Sequence, residues 1–455
     1  NSGSATMTTA GSGFDTVLAV YSGSSVGSLG TAIASNDDIP DVPGQPHNVT
    51  SSVIFSATAG TTYRIAVDGF DNGDGGGTGN LVLNWSETNC TQSPPTVRLT
   101  ATDYPIAENS GPGFVTVSVI REGDASSAAS VNFATSDTSS LNAACSQVSG
   151  KASDRCDYAT SLGTLSWAAG ESGTKSFNIP IINDALVEGN ETFNVTLSSP
   201  TGVSLGATTT ATVTIQDNDS SPSSSNPIDG VDFFITQQYI DILGRMPDAG
   251  GFQNWHDTLA PCPNGGFGEP PTSNCDRLHV AAGFFQSAEF LNRGYFAFRF
   301  YMVAFNQRPT YAQFMPDMAQ VGGPKSPAEE EAAKVAYANA FVVRPAFTSQ
   351  YPGLSGQALA NALLQKAGLP AGSYNAGGQS NGQILRGIAE SQGALDKFLT
   401  EGTVSIQYFA FLRRDPDTTG YNNNVATLNA NPSNLRHMIF IFIYSTEYRG
   451  RFGTP

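Results

Sequence analysis

Through the first half of this chain apolar residues alternate with polar ones, and through the second they recur every third or fourth position. Alternation at period two marks 16–21, 52–57, 62–67 and 80–85, separated by Gly, Ser and Asp turns. That pattern predicts an antiparallel, jelly-roll-like β-sandwich over 1–90. Seven further short runs, 96–99, 114–120, 130–135, 162–167, 176–182, 191–197 and 208–215, predict an immunoglobulin-like sandwich over 96–219. A Ser/Pro linker follows at 220–227. Beyond it Val231, Phe234, Ile235, Tyr239, Ile242 and Leu243 fall at helical spacing, and Ser326-Pro327-Ala328-Glu329 is a capping box with Pro at the first helical position. The fold class is therefore multidomain: two all-β sandwiches, then an all-α domain over 228–455.

The helical half repeats. Tyr239, Tyr301 and Tyr408 each stand eight residues before a proline (Pro247, Pro309, Pro416), and Phe252, Phe314 and Tyr421 stand five after it. Leu243, Phe305 and Leu412 stand four before it. Each copy reads as helix, tight turn, helix, with apolar positions in the core and Asp248 or Asp417 capping the second helix. Ser287-Ala288-Glu289-Phe290 and Ser445-Thr446-Glu447-Tyr448 form a second recurring element.

Charge is unevenly placed. Residues 1–225 hold 21 Asp and Glu against 6 Lys and Arg; residues 226–455 hold 18 against 16, within a net charge of -17. A front half this acidic repels nucleic acid and anionic membranes and attracts divalent cations. No apolar run reaches the length of a membrane span. The carboxylates crowd 181–193 and 214–219, at the ends of expected strands and with no base among them. Oxygen-only clusters suit a hard ion such as calcium, with six to eight oxygen ligands. In the first domain Asp15, Asp37, Asp38 and Asp68, with Asp71 and Asp74 nearby, form a smaller candidate cation site; turn-stabilising Asp is the equal alternative.

Cys145 and Cys156 bracket one polar loop, and Cys262 and Cys275 a Pro/Gly-rich one. Neither pair has zinc-ligand spacing, so two loop-closing disulfides fit better and imply an oxidising compartment. Cys90 is left over, either as a free thiol or as a cross-link to another chain. Asn48, Asn84, Asn89, Asn190, Asn194 and Asn218 head Asn-x-Ser/Thr sequons and are candidate glycosylation acceptors. Catalytic patterns are nearly absent. The Gly-x-Ser-x-Gly match at 23–27 lies in a Gly/Ser loop rather than at a strand-to-helix turn, and the four histidines lack ligand spacing.

Three resemblances sharpen this reading. Gly13-Phe14-Asp15-Thr16-Val17-Leu18-Ala19-Val20-Tyr21 and Ala66-Val67-Asp68-Gly69 resemble the bacterial pre-peptidase C-terminal domain, whose members begin several strands earlier. That implies a first domain that is truncated or completed in trans by a neighbouring strand. Ala107-Glu108-Asn109, Ala134-Thr135-Ser136-Asp137, Cys156-Asp157-Tyr158, Gly163-Thr164-Leu165-Ser166-Trp167, the acidic run at 181–193 and Asp217-Asn218-Asp219 are similar to a Calx-beta domain. This resemblance implies calcium ligands at Glu108, Asp137, Asp184, Glu188, Glu191, Asp217 and Asp219, with Asp157 a further candidate. Asn183 and Asn218 stand where that family often has carboxylates, which implies one or two ions bound more weakly. The helical half resembles a bacterial domain that accompanies calcium-binding modules in secreted proteins, and distantly the phycobilisome linker domains. The expectation is a non-catalytic, calcium-stabilised extracellular or surface protein of bacterial type. It would self-associate head to tail or bind another surface protein, as a subunit of a surface assembly or filament. The alternatives are the tail of a secreted hydrolase, or an adhesive, carbohydrate-binding module using Tyr21 and Trp85.

Overall fold

The computed structural model describes residues 2–22, 28–44, 46–58, 61–71, 73, 75–91, 93–111, 113–138, 144–221, 223–267, 275–322 and 326–455. The side chains of Ser2 and of 89–91 lie outside that description. So do 23–27 and Asp74, and with them the candidate roles of Asn89 and Cys90. The chain divides into two compact units, 1–96 with 122–127, and 97–121 with 128–455.

The first unit holds two antiparallel three-stranded sheets. One is β4 (Ser52–Ala57), β1 (Ser2–Thr8) and β6 (Asn84–Thr91); the other is β3 (Ala34–Asn36), β2 (Thr16–Ser22) and β5 (Tyr63–Gly69). Ala5, Leu18, Val20, Val53 and Phe55 fill the space between them. Strand β1 was not expected, because its Ser/Thr-rich sequence offers only Ala5 and Met7 as apolar markers. The strand expected at 80–85 starts instead at Asn84. Residues 80–82 are tied to 12–13 by Gly13 N–H to the Asn80 carbonyl and Val82 N–H to Ser12 Oγ. Strand β6 is a sheet edge, and Trp85 on it is 67% exposed.

The second unit begins with a two-sheet sandwich. Strands β11 (Leu162–Trp167), β10 (Ala129–Ser136), β13 (Glu191–Thr201), β15 (Thr210–Gln216) and β8 (Asp103–Ala107) form one sheet. Strands β12 (Gly173–Pro180), β9 (Phe114–Glu122), β7 (Thr96–Leu99) and β14 (Ser204–Leu205) form the other. Alternating burial along β9, β13 and β15 puts Val117, Phe193, Val195 and Val213 in the core around Trp167. Strand β8 escapes a sequence reading because Pro105 interrupts it. It is tolerated there because β8 is an edge strand, paired in parallel with β15. Strand β12 ends at Pro180, two residues before the expected boundary; Ile182 turns away and joins the helical core.

The three repeat turns share one backbone device. The residue three before each proline (Gly244, Asn306, Arg413) ends its helix in the left-handed region, with φ of 65°, 50° and 52°. The residue after each proline caps the next helix: Asp248 accepts from Gly251 N, Thr310 from Gln313 N and Asp417 from Gly420 N. In the outer copies an arginine two before the proline clasps the glutamate of the second recurring element. Arg245 meets Glu289 at 2.7 and 2.8 Å, and Arg414 meets Glu447 at 2.6 and 3.0 Å. Glycine is required four after the proline in those copies. A Cβ at Gly251 or Gly420 would stand 2.2 or 2.3 Å from the Tyr239 or Tyr408 hydroxyl. The middle copy lacks both features, and Tyr301 donates instead to Asp317, which Arg344 pairs at 2.7 Å.

The helical region closes on a buried ionic centre. Asp241 is wholly buried and meets Arg413 at 2.8 Å and Arg451 at 3.1 Å, with Gln237 and Tyr448 also donating to it. The same region packs on the sandwich. Arg451 Nε donates to the Arg155 carbonyl at 2.9 Å, and Ala185 N–H to the Phe452 carbonyl at 3.0 Å. Asn226 of the expected linker is buried and donates to the carbonyls of Arg449 and Thr454.

Candidate metal centre

Four connections at one end of the second sandwich converge. Glu108 follows β8; Asp184 and Glu188 lie on the β12–β13 connection; Glu191 opens β13; Asp217 and Asp219 follow β15. Asp157 comes from the β10–β11 connection, which the Cys145–Cys156 disulfide closes into a short loop. Carboxylate oxygens of Glu108, Asp184 and Asp219 lie within 4.8 Å of one another, and so do those of Asp157, Asp184 and Glu188. Asp184 is common to both groups. Glu108, Asp157, Glu188, Glu191 and Asp217 line a cavity of about 10 Å³, the space of one water or one ion.

Backbone donors place these groups. Asp184 N–H donates to Glu108 Oε1 at 2.7 Å, and Ser153 N–H to Asp157 Oδ2 at 2.6 Å. Asp217 uses both oxygens on the scaffold: Glu188 N and Gly189 N reach one, and Asp219 N the other. Asp217, like Glu191, joins neither close group but lines the cavity beside them. Asp137 is likewise engaged, accepting from Asp154 N and the Tyr158 hydroxyl, and it joins neither group.

No Lys or Arg forms an ion pair with Glu108, Asp157, Asp184, Glu188, Glu191, Asp217 or Asp219 among the described residues. The electrostatics follow. Burial first, then the neighbouring acids, pushes the Glu188 carboxyl from 4.5 up to about 11. Burial, Asp157 and Glu108 push Glu191 up to about 9. Burial raises Glu108 and Asp157 to about 7 each, against the pull of backbone N–H donors. Asp184 is raised well above its ordinary value by burial and by Glu108. Ions of like sign this close, out of water, either take up protons or hold a cation. The donor set is entirely oxygen, and the buried Asn183 Oδ1 has no partner. That donor set fits a hard divalent ion.

In the first unit Asp15, Asp37 and Asp38 also approach within 4.8 Å, whereas Asp68 stands apart and binds Gly69 N–H. That group is half-exposed to exposed, and His47 reaches Asp38 at 3.5 Å. Cys262 and Cys275 form the second disulfide. Asn84, Asn190 and Asn218 are exposed, and Asn48 and Asn194 are half-buried.

The site is thus an acid-lined loop end of an immunoglobulin-like sandwich. Residues 91–219 match the family model of the Calx-beta domain, and this segment is a Calx-beta domain. Among solved structures, the apo-form Calx CBD1 domain is 28% identical over 28% of this chain and all of that chain, with a TM-score of 0.24. The calcium binding domain CBD12 of CALX1.1 is 32% identical over 27% of this chain and 46% of that one, with a TM-score of 0.23. The Calx CBD2 domain is 18% identical over 28% of this chain and 88% of that chain, with a TM-score of 0.22. No curated protein matches the chain. No described helix is long and apolar enough to cross a membrane.

Proposed function

We propose that this chain is a calcium-stabilised, non-catalytic structural or interaction protein of the cell exterior. The observation that carries the reading is the set of acids centred on Asp184 with no Lys or Arg ion-paired to them among the described residues. Glu108, Asp157, Asp184, Glu188, Glu191 and Asp219 would hold the ion, with the Asn183 carbonyl oxygen as a further donor. Bound calcium supplies charge cancellation and fixes the loop ends. The chain's own part is to orient the carboxylates through backbone N–H groups and to exclude water around Asp184. Two loop-closing disulfides support an oxidising compartment. The exposed edge strand β6 supports self-association by strand addition, and with it a role as a subunit of a surface assembly. The pre-peptidase-like and secreted-helical-domain resemblances point the same way.

Calcium titration calorimetry tests the first part, where absence of binding heat at millimolar calcium rejects the metal reading. Sedimentation velocity across a concentration series, with calcium and with chelator, tests the second. A monomer under every condition rejects the assembly.

A further inference from the structure

The middle repeat turn departs from its two companions where a cleft opens. In the outer copies the residue two before the proline is an arginine consumed by its clasp with Glu289 or Glu447 and by stacking on Tyr239 or Tyr408. In the middle copy that position is Gln307, which is exposed and clasps no glutamate. The guanidinium has moved one residue along the chain. Arg308 lies 4.1 Å from the ring centroid of Tyr421, the aromatic of the third repeat, and is pinned by the Pro416 carbonyl at 3.3 Å. Asp415 of the third turn accepts from Tyr311 N–H at 2.6 Å through Oδ1 and is itself exposed. Between the two turns lies a cleft of about 420 Å³, within the size range of small-ligand pockets, about 300–1,000 Å³.

The lining selects the ligand class. Among the described lining residues Arg308 and Asp415 are the only charges, one of each sign. A polyphosphate needs several cations, and calcium needs more than one carboxylate. The exposed amides of Asn306 and Gln307 would leave a lipid chain facing unsatisfied polar groups. A ring of hydroxyls answers all of these groups, because each hydroxyl both donates and accepts. Tyr421, stacked behind the Arg308 guanidinium, adds aromatic surface to the lining. We propose that the cleft between the second and third repeat turns binds a neutral saccharide of one or two rings. The site is independent of the metal centre. It also differs from the β-domain residues Tyr21 and Trp85 that the sequence offered for carbohydrate.

The test uses the full chain in excess chelator, so that its outcome does not depend on calcium. Maltose, cellobiose, lactose and diacetylchitobiose are each screened at millimolar concentration by saturation-transfer NMR, and any hit is measured by calorimetry. At least one is expected to bind. Arg308→Ala and Asp415→Asn should each weaken it about tenfold, the loss of one charge-assisted hydrogen bond. Asp415→Asn keeps an oxygen for Tyr311 N–H, so its melting temperature should match that of the parent chain. Two results overturn the proposal: no transfer to any of the four sugars, or binding unchanged in both variants.

Discussion

Replacing Glu188 by glutamine separates what the acidic cluster costs the fold from what it does. Glu188 is 7% exposed, and its carboxyl is pushed from 4.5 to about 11 by burial and by Asp184, Asp157, Glu191 and Glu108. At pH 8 without metal the folded chain keeps a proton on this group, whereas the unfolded chain does not. Holding it costs up to about 5 kcal/mol, at about 1.4 kcal/mol per pH unit. Loop relaxation and water at the rim reduce that ceiling to roughly 1–3 kcal/mol. Glutamine is the isostere of the protonated acid and carries no such cost. E188Q should therefore melt about 1–4 °C higher than the parent in chelator at pH 8. Calcium offsets that advantage. The parent gains about 2.7 kcal/mol at a hundredfold excess over its dissociation constant, and E188Q, short one anionic ligand, gains little. Paired thermal melts in chelator and in calcium read both effects. An E188Q chain that melts at or below the parent in chelator, or that gains equally from calcium, refutes the reasoning.

Three other outcomes follow from the same structure. In chelator the melting temperature should fall as pH rises from 5 to 8, because Glu108, Asp157, Glu191 and Glu188 keep protons up to about 7, 7, 9 and 11 in the folded state and release them near 4 when unfolded. Millimolar calcium should flatten that slope, and a pH-independent melt in chelator would contradict it. Arg413→Gly relieves a left-handed backbone yet removes a buried cation, while Asp241 keeps Arg451; the net loss should be about 1–3 kcal/mol by urea titration. Asp241→Asn strands two buried guanidiniums and should cost about 3–5 kcal/mol, so the opposite ranking would be wrong for this centre. Gly251→Ala should destabilise by about 1–3 kcal/mol despite alanine's better helix propensity, since its Cβ meets the Tyr239 hydroxyl, and Tyr239→Phe should restore most of the loss.

What was legible in the chain was local. The run around Glu188 and Glu191 shows itself because carboxylates gather without a base. The repeat shows itself because Tyr, Pro and an aromatic keep fixed offsets. Strand alternation revealed most of the second sandwich, but β8 stayed hidden behind Pro105. The division of labour among the acids was not legible. Asp217 and Asp219 look alike in sequence, yet three backbone N–H groups occupy Asp217. The hydrogen bonds that Asp137 Oδ1 takes from the Tyr158 hydroxyl and the Asp154 N–H could not be read from the sequence either. The ionic centre at Asp241 was equally hidden, since Arg413 and Arg451 lie 172 and 210 residues away in sequence. Pairings that distant carry no period. One trace was available: Arg413 stands where the other repeats place Gly and Asn, and an arginine held at positive φ needs a partner to justify it.

The connection from Ile181 to Ala185 joins the two halves of the second unit. Ile181 packs in the sandwich core and Ile182 in the helical core. Asp184 belongs to both close groups of carboxylates, and Ala185 is bonded to Phe452 near the end of the helical region. Five consecutive residues thus serve three environments. Close-packed interiors transmit displacement rather than absorbing it. Repulsion that spreads the carboxylates must therefore move Asp184 against Glu108 while its neighbours stay seated in two cores. The coupling runs both ways. Whatever orders the acid end also strengthens the seat of the helical region, and a firmly seated helical region holds Asp184 in place for a cation.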